Sequence, residues 1–424
     1  MADLPRSCDV VVIGAGLAGL CAARHLVAAG RDVVVVEAGD AVGGRVRTDR
    51  VDGLQLDRGF QVSTPGYPEA RRVLDLDALD LHRFTAGAVV ATEGRRHRLA
   101  APFDAPRWAL NAVTAPVGSP ADKLRMAAYA ARVGVVDARR LVAQEDVTAR
   151  QALRDAGLSD RFVDTALRPF LAGVFLEEEL STSRRFLDLV LRSFVRGLPA
   201  LPAAGMGAIP EQLASTLPDG CVHLGVRVRS LLPGRVSTDA GDVQAPAVIV
   251  ATSGPEAAAL VPGVDAPASK ASTTWYHLAD VPPDALVEGR PVLTLDGDGT
   301  GPISSTVPLS HVSASYASGG RVLVTSLAVG ERGSADDERA ARTQLAALYG
   351  EATGGWDHVA TYVVPHSLPA MPPPHDFRRP VVVTDGLYVC GDHRDSASQQ
   401  GAMVSGRRAA ESILAAARTS SAPA

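Results

Sequence analysis

The sequence predicts an α/β fold, in which a Rossmann-like dinucleotide-binding domain is interleaved with an α+β domain made of a mixed sheet and helices. Three observations indicate this. An apolar strand leads into a glycine motif at residues 14–19, a second apolar strand ends at a Gly-Asp pair at 391–392, and the stretch between them shows helical and then strand-like patterns.

The composition is that of a globular protein of 424 residues, of which 46% are hydrophobic, with a net charge of −5. This charge and the lack of a long Lys/Arg run argue against a nucleic-acid partner. No stretch reaches the roughly 18 apolar residues of a membrane span, and the N-terminus has no signal-peptide pattern. Since the four cysteines lack C-x-x-C spacing, we expect a reduced, cytoplasmic protein. Peripheral membrane contact and the oligomeric state stay open.

The first predicted element is the strand Val10–Ile13, which continues into a G-x-G-x-x-G motif formed by Gly14, Gly16 and Gly19. In such a motif the first glycine permits the tight turn, the second lets backbone amides approach a pyrophosphate, and the third lets the helix pack on the strand. The helix that follows presents its N-terminus to the phosphates and ends at Gly30 as a C-cap. This context predicts a dinucleotide site.

The second predicted strand, Val33–Val36, leads to an acidic residue at the position that such a site needs. Glu37 lies 23 residues after Gly14, where its carboxylate can accept hydrogen bonds from both hydroxyls of an adenosine ribose. No arginine follows it directly, so a 2′-phosphate would meet the negative charge of Glu37 with little to offset it. The sequence therefore disfavours NADP.

The next residues resemble the superfamily of flavin amine oxidases, phytoene desaturases and protoporphyrinogen oxidases. Glu37 is followed by Gly43-Gly44-Arg45, and residues 56–60, Leu-Asp-Arg-Gly-Phe, look like the family's Asp-x-Gly segment near the flavin. The resemblance implies an FAD-binding domain of the glutathione-reductase type, with Gly43, Gly44 and Arg45 along the FAD pyrophosphate. Arginine suits this position because its fork of donors matches phosphate oxygens.

Two further segments carry the same resemblance. Near the C-terminus, Gly391-Asp392 ends a buried strand, and a helix begins near Gly401. By resemblance, Asp392 would bind the ribityl chain, and the helix would direct its N-terminus at flavin N1 and O2. In the middle, residues 201–210 are similar to the family's Pro-x-Gly-Gly-Met stretch, with alanine at the first glycine, and Val222–Leu231 alternates as one strand.

The resemblance implies one cofactor site built from all these segments, since in relatives the residue corresponding to Val228 gives backbone contacts to the adenine. The residues expected to hold FAD are Gly14, Gly16, Leu17, Ala18, Gly19, Glu37, Ala38, Gly44, Arg45, Gly59, Phe60, Gln61, Val228, Ala251, Gly391, Asp392, Gly401, Ala402 and Met403. The FAD-binding domain is expected to comprise 1–83, 200–268 and 375–418, and the substrate-binding domain 84–199 and 269–374, with a frayed tail at 419–424.

The second domain shows two kinds of pattern. Apolar residues recur at helical spacing from Ala121 to Val136 and from Thr148 to Arg196. Between residues 273 and 329 the pattern changes to strands, such as 292–295 and 321–327, separated by glycine-rich turns. We expect a mixed sheet backed by helices.

Three residues are candidates for a catalytic role. In amine oxidases of the superfamily a lysine bridges through water to flavin N5, and Lys270 falls at about the corresponding place; a solvated surface lysine is the alternative. His366 and His393 could each accept a proton at neutral pH, although a lone histidine is more often structural. No metal site is predicted.

Other positions argue against an amine substrate. Amine oxidases place an aromatic residue three positions before the glycine that opens the last helix, and here that residue is Ser398. Aromatic residues make up only 4% of the chain, which leaves Trp275, Tyr276 and Tyr362 as candidates for an aromatic cage. Relatives that bind flavin covalently use a cysteine where this chain has Ala397, so noncovalent FAD is predicted.

We therefore expect an FAD-dependent oxidoreductase that removes hydride from an apolar or polycyclic carbon substrate, as desaturases and protoporphyrinogen oxidases do. Two alternatives stay open: an amine or amino-acid oxidase, and a non-redox isomerase or binding protein on the same fold. The substrate is a small molecule in each case.

Overall fold

The computed structural model describes residues 4–101 and 104–420. The strands are β1 Val10–Ile13, β2 Val33–Glu37, β3 Thr48–Val51, β4 Leu54–Asp57, β5 Leu81–Arg83, β6 Gly87–Thr92, β7 Arg95–Ala100, β8 Ala200–Pro202, β9 Val222–Leu224, β10 Val228–Leu232, β11 Arg235–Thr238, β12 Gly241–Gln244, β13 Ala247–Val250, β14 Ser269–Ala279, β15 Leu293–Asp296, β16 Ile303–Pro308, β17 Val322–Val329, β18 Asp357–Pro369, β19 Val382–Thr384 and β20 Leu387–Val389.

The helices are α1 Leu17–Ala28, α2 Ala70–Val73, α3 Ala109–Thr114, α4 Pro120–Val135, α5 Ala138–Ala143, α6 Ala149–Asp155, α7 Asp160–Phe162, α8 Arg168–Phe175, α9 Arg184–Arg196, α10 Ala208–Ala214, α11 Gly254–Leu260, α12 Leu309–Val312, α13 Ala335–Tyr349 and α14 Gln399–Ser420. A π-helical turn, Val163–Leu167, joins α7 to α8.

The first sheet has the strand order β19-β20-β13-β1-β2-β9, in which only the edge strand β19 is antiparallel to its neighbour within the described residues. Its central strands are buried on both sides, as expected for a parallel sheet. Val10 and Val12 of β1 pack toward α1, α10 and α14, whereas Val11 and Ile13 pack toward the antiparallel sheet β10-β11-β12. This layering confirms the predicted Rossmann-like domain.

The second sheet is mixed and has the order β18-β14-β17-β16-β15-β6-β7. Side chains alternate along β14: Trp275 packs against α13 on one face, and Tyr276 faces the first domain on the other. Helices α6, α8 and α9 form a further apolar cluster that includes Val90 of β6 and Leu295 of β15. The predicted α+β architecture of the second domain is confirmed, and its sheet presents one face to the dinucleotide-binding domain.

The single strand expected over Val222–Leu231 is wrong. The structure divides it into β9 and β10, which belong to different sheets. Gly225 lies between them with φ +69°, a left-handed conformation that breaks a strand and that glycine adopts without strain. The Gly225 and Val226 amides donate to the carbonyl oxygens of Gly39 and Glu37, so the break brings this segment, and Val228 after it, beside the end of β2.

The strands of the first sheet lie within 1–83, 200–268 and 375–418, and those of the second within 84–199 and 269–374; we keep this domain division as a proposal. Helix α14 continues through residue 420, beyond the expected start of the frayed tail at 419, and 421–424 lie outside the described residues. All four cysteines are free and buried. Within the described ranges, no helix is both long and apolar enough to cross a bilayer.

Candidate functional site

The glycine turn after β1 combines close packing with open space. A Cβ at Gly19 would overlap the carbonyl oxygen of Gly14, which itself has φ +104°, so both positions require glycine for the helix to pack on the strand. A Cβ at Gly16, in contrast, would meet no described atom within 4 Å. The second glycine therefore borders space that a ligand can enter, as a pyrophosphate-binding turn requires.

The carboxylate of Glu37 is held beside this turn. Its Oε2 accepts the backbone N–H of Ala15 at 2.8 Å, and its Oε1 accepts that of Gly39 at 2.7 Å. Because the side chain is fixed at the carboxyl end of β2, it stands where ligands bind in open α/β sheets. Val228 lies nearby, since the segment before it is hydrogen-bonded to Glu37 and Gly39. Ribose recognition by Glu37 stays a prediction.

Arg45 connects the N-terminal segment to the other end of the site. Its Nη1 donates to the carbonyl oxygen of Ser367 at 2.7 Å, and its Nη2 lies 2.8 Å from Asp392 Oδ2. The Gln61 side chain donates to the Arg45 carbonyl oxygen at 2.8 Å. Arg45, Gln61 and Asp392, which the sequence assigned to one cofactor, therefore do lie together.

The start of α14 is packed against the Gly-Asp pair. The hydroxyl of Ser398 accepts the N–H of Gly401 at 3.1 Å, which is an N-cap interaction, and the N–H of Gly391 donates to Ser405 Oγ at 2.9 Å. A Cβ at Gly401 would overlap the backbone of Ser396. These contacts fix the orientation of the helix N-terminus relative to Asp392.

The remaining predicted cofactor residues border the same elements. Gly43 donates its N–H to the Ala15 carbonyl oxygen at 2.8 Å, Ala251 donates to Ile13, and the N–H of Phe60 donates to Thr274 Oγ1 of β14 at 3.0 Å. The other predicted cofactor residues are next to these groups in the chain. They are Leu17 and Ala18 in the first turn of α1, Ala38 after β2, Gly44 beside Arg45, Gly59 beside Phe60, and Ala402 and Met403 in the first turns of α14.

Arg45, Asp392, His366 and His393 line one cleft between the two domains. The other lining residues are Ser253, Gly254, Pro255, Pro267, Ser269 and Pro369. His393 is 2% exposed, and neither of its ring nitrogens has a hydrogen-bond partner among the described residues. Burial lowers the pKa of His393 to about 4, so the ring is neutral at neutral pH. His366 is exposed at the edge of the cleft.

These residues fit an FAD cofactor. The space beside Gly16 suits a pyrophosphate, and Arg45 supplies a cation with a planar fork of donors beside it. Asp392 is buried at the same junction. The two unpartnered ring nitrogens of His393 offer a donor and an acceptor to a polar ligand group, since buried polar atoms in native proteins normally have a partner.

Lys270 lies on β14 beside the cleft and is engaged elsewhere. Its Nζ donates to the Phe175 carbonyl oxygen and to Thr182 Oγ1, each at 3.1 Å, and lies 3.9 Å from Glu177 Oε1. Burial lowers its pKa, and Glu177 partly offsets this effect. The cleft includes the neighbouring Ser269 and not Lys270, so the structure does not bring the predicted lysine together with the two histidines.

The three aromatic candidates for a cage do not form one. Trp275 is fully buried against α13, on the face of the sheet that points away from the first domain, so the expectation for it is wrong. Tyr276 and Tyr362 are neighbours, with ring centroids 5.9 Å apart, but their planes are at 89°. Their hydroxyls donate to the Asp57 carbonyl oxygen and to Asp49 Oδ2, which fixes both rings to the hairpin β3-β4.

The sequence reasoning missed two residues of this region. Asp57 is buried and accepts hydrogen bonds from Thr48, Met206 and Tyr316; burial raises its pKa to about 6. Its role is to join the two domains, which its place in an Asp-x-Gly motif did not indicate. Gln400, in the first turn of α14, accepts through Oε1 the backbone N–H of Glu69 at 2.9 Å, across 331 residues of the chain. No sequence pattern signals either contact, because the partners are distant along the chain.

Known proteins resemble this chain in sequence and in structure. The profile of the family described as flavin containing amine oxidoreductase matches residues 17–414. Putrescine oxidase of Kocuria rosea is 47% identical over 92 residues, which cover 21% of this chain and 19% of that protein. Hydroxyneurosporene desaturase of Rhodobacter capsulatus is 52% identical over 67 residues, 16% of this chain and 13% of that protein. The matched segments thus span a fifth or less of these relatives.

A solved structure described as a protoporphyrinogen oxidase from Exiguobacterium sp. 255-15 superposes with a TM-score of 0.68 at 16% sequence identity. It covers 98% of this chain and 100% of that one. At this level of identity the likeness concerns the fold alone, which extends over the whole chain.

Proposed function

This chain belongs to the flavin containing amine oxidoreductase family, and we propose that it removes hydride from an apolar or polycyclic carbon substrate rather than from an amine. Its cofactor is FAD, and the chain is an FAD-dependent oxidoreductase. The observation that carries the choice of substrate is the arrangement of Tyr276 and Tyr362, which are perpendicular and hydrogen-bonded through their hydroxyls to β3-β4. Such rings do not form two facing walls around a cation.

The residues of the site have separate tasks in this proposal. FAD, when bound, supplies the ring that accepts hydride. Glu37 would bind the adenosine ribose, and Arg45 with Asp392 would hold the pyrophosphate and the ribityl chain. His366 is the better placed proton acceptor, because the lowered pKa of His393 makes that ring a weak base at neutral pH. His393 would instead bind the cofactor through its unpartnered nitrogens.

The contacts of Lys270 favour a dehydrogenase over an oxidase that relies on lysine. Lys270 Nζ donates to Phe175 and Thr182, and it also lies 3.9 Å from the carboxylate of Glu177. These contacts hold the ammonium group outside the cleft that His366 and His393 line. We expect Lys270→Met to leave the rate of flavin reoxidation by oxygen unchanged within about threefold, while the protein loses about 2 kcal/mol of stability.

The chain offers a matched control, since Lys123 is its one other lysine and also donates to two backbone carbonyl oxygens, those of Val113 and Ala115. Stopped-flow measurement of flavin reoxidation in the reduced Lys270→Met and Lys123→Met variants would separate a specific effect of Lys270 on the reaction with oxygen from the general effect of losing a lysine. A fall of tenfold or more in Lys270→Met alone would contradict the proposal and support an oxygen-activating lysine.

The likeness to putrescine oxidase favours one second candidate, an amine or amino-acid oxidase. Anaerobic mixing of the oxidised protein with candidate substrates distinguishes the two proposed functions. Loss of the oxidised flavin absorbance reports substrate oxidation whatever the final electron acceptor. We expect bleaching by acyclic isoprenoids or reduced tetrapyrroles, and none by diamines, polyamines or amino acids. Bleaching by a diamine at a rate that exceeds all apolar compounds would overturn the proposed substrate class and leave the assignment of FAD intact.

A further inference from the structure

A surface cavity of about 320 Å³ lies among three helices of the second domain. Its lining comes from α4, from α6 with the residue that follows it, and from Arg184, the first residue of α9. The volume is at the lower end of the range for small-molecule sites. The cavity shares no described lining residue with the cleft of Arg45, Asp392 and His393, so it is separate from the proposed cofactor site.

Positive charge is in excess at this cavity. Arg125, Arg132 and Arg184 line it, and the acidic residue of the lining, Asp155, is exposed. Asp188, which is not part of the lining, is fully buried, and its Oδ2 lies 3.1 Å from Arg132 Nη2. Three guanidinium groups thus meet two carboxylates, which leaves one positive charge for an anion from solution to neutralise.

The guanidinium of Arg184 is only partly paired by the surrounding chain. Asp188 already accepts hydrogen bonds from three other side chains, those of Tyr129, Arg132 and Gln144. Arg184 Nε lies 3.9 Å from Asp188 Oδ2, too far for a hydrogen bond, and this buried nitrogen has no partner among the described residues. Because 24% of the side chain is exposed, the rest of the guanidinium is accessible from the cavity and can donate to an acid group.

The remaining lining of the cavity is apolar. It consists of the small side chains of Ala128, Ala152 and Ala156 and the ring of Tyr129, whose hydroxyl is occupied by Asp188. Alanine at three lining positions keeps the space open, since a larger side chain would extend into it. Cations beside an apolar wall suit an anion that carries an apolar body better than a fully hydrated inorganic ion, which would lose its water there without compensation.

We propose that this cavity binds a small organic carboxylate with a compact apolar body. The carboxylate pairs with Arg184 and Arg132, whose planar forks of donors match its two oxygens, and the body packs on the Tyr129 ring and the alanines. Arg125, which is exposed, adds a third positive charge that attracts anions to the site. Since the lining is separate from the cofactor cleft, a compact ligand bound here is not the molecule that gives up hydride, and the inference does not depend on the substrate class.

Calorimetric titration of the purified flavoprotein with benzoate tests the proposal. The comparison ligands are benzamide, which is the neutral analogue, and inorganic phosphate, which has no apolar body. We expect one benzoate site, and at least tenfold weaker binding of both comparison ligands.

Three variants locate the benzoate site. Ala128→Leu with Ala156→Leu fills the cavity without removing a charge and should weaken benzoate binding at least tenfold. Ala127→Leu with Ala131→Leu changes two exposed alanines of α4 that do not line the cavity, and should leave binding unchanged. Arg184→Lys keeps a cation beside Asp188 but loses the fork of donors, so it should weaken binding about tenfold. Melting temperature and flavin absorbance check that each variant folds.

Several results would overturn the proposal. They are the absence of benzoate binding by the unmodified protein, equal affinities for benzoate and either comparison ligand, and equal affinities of the two alanine double variants for benzoate. Binding that shifts the flavin spectrum and persists in Ala128→Leu with Ala156→Leu would place benzoate in the cofactor cleft and contradict the proposal as well. Since no titration requires turnover, a wrong substrate class would not affect the outcome.

Discussion

The two ends of the proposed cofactor site, one assigned to the adenosine and the other to the flavin, differ in how they are built. At the adenosine end, the bond from Ala15 to Glu37 joins residues 22 apart in sequence, and one strand-helix-strand unit supplies the glycine turn and the carboxylate. At the flavin end, Arg45 bonds to Ser367, 322 residues away, and Gln400 bonds to Glu69, 331 residues away. The first end forms with local structure, whereas the second exists only after both domains and α14 have assembled.

This difference predicts how substitutions act at each end. Changes at the adenosine end should affect cofactor affinity without disturbing the contact between the domains, unless they alter the packing of α1. Changes at the flavin end should affect affinity and domain assembly together, since the same side chains serve both. The following experiments test this contrast, beginning with the largest expected effect.

Gly16→Ala and Gly19→Ala should separate ligand contact from helix packing within one motif. A Cβ at Gly19 overlaps the Gly14 carbonyl oxygen, whereas one at Gly16 meets no described atom within 4 Å. We expect both variants to be purified without flavin, but only Gly19→Ala to lose about 4 kcal/mol or more of unfolding free energy. Urea denaturation of the two apoproteins measures this. Equal stabilities would show that α1 moves to accommodate the Cβ.

The acid stability of the flavin end should depend on His393. Its pKa is about 4 in the folded protein, against 6.5 in the unfolded chain, so the unfolded state binds more protons between these values. Stability therefore falls as the pH decreases from 6.5 to 4, by up to about 3 kcal/mol. His393→Gln should remove this part of the dependence of stability on pH. His366→Gln, which changes the exposed histidine of the same cleft, should not.

Asp57 affects the pH dependence of stability in the opposite direction, over a similar pH range. Because its pKa is raised from 3.8 to about 6, the folded state binds more protons there, and stability is lost as the pH rises through that window. Asp57→Asn should therefore steepen the loss of stability on acidification, while His393→Gln flattens it. Urea midpoints between pH 4 and 7 report both slopes, and parallel curves for all the proteins would exclude these groups as the source.

Arg45→Met tests whether the flavin end couples cofactor binding to assembly. The change removes the bonds to Ser367 and Asp392 and leaves Asp392 buried without its partner. We expect a loss of about 2 kcal/mol in the apoprotein, less than for a fully buried pair because Arg45 is 36% exposed, together with at least tenfold weaker FAD binding. Glu37→Gln should weaken FAD binding to a similar extent but cost the apoprotein only about 1 kcal/mol, because the amide keeps one acceptor oxygen for the N–H groups of Ala15 and Gly39. If Glu37→Gln destabilised the apoprotein equally, the contrast between the two ends would be incorrect.

Ser398→Ala should have the smallest effect. It removes the hydroxyl that caps α14 by accepting the Gly401 N–H, at a cost of about 1 kcal/mol. Ser398→Asp retains a capping acceptor and should keep the stability of the unmodified protein. If Ser398→Ala lowered the unfolding free energy no more than a serine-to-alanine change at exposed Ser230, the cap would make no net contribution.

Patterns within short segments predicted much of the molecule. The strand at Val10, the helix from Leu17 and the helix of residues 121–136 were predicted close to their observed bounds, because each has a single apolar period over its length. The division at Gly225 was not predicted, since alternation continues across it and only the left-handed backbone interrupts the strand. Trp275 was left as one candidate for an aromatic cage because of its residue type, but the register of β14 directs it to the opposite face of the sheet.

The sequence by itself determined a dinucleotide-binding fold, because glycine spacing and an acidic strand end act through contacts within about 25 residues. The choice of FAD as the dinucleotide came from the family resemblance of Gly43-Gly44-Arg45 and Gly391-Asp392. Only the tertiary structure decided that Arg45 meets Asp392, that the buried ring nitrogens of His393 have no hydrogen-bond partner among the residues described, and that Lys270 is engaged by Thr182. The physical reason is that these properties depend on burial and on which distant segment packs nearby, and a residue type does not specify either.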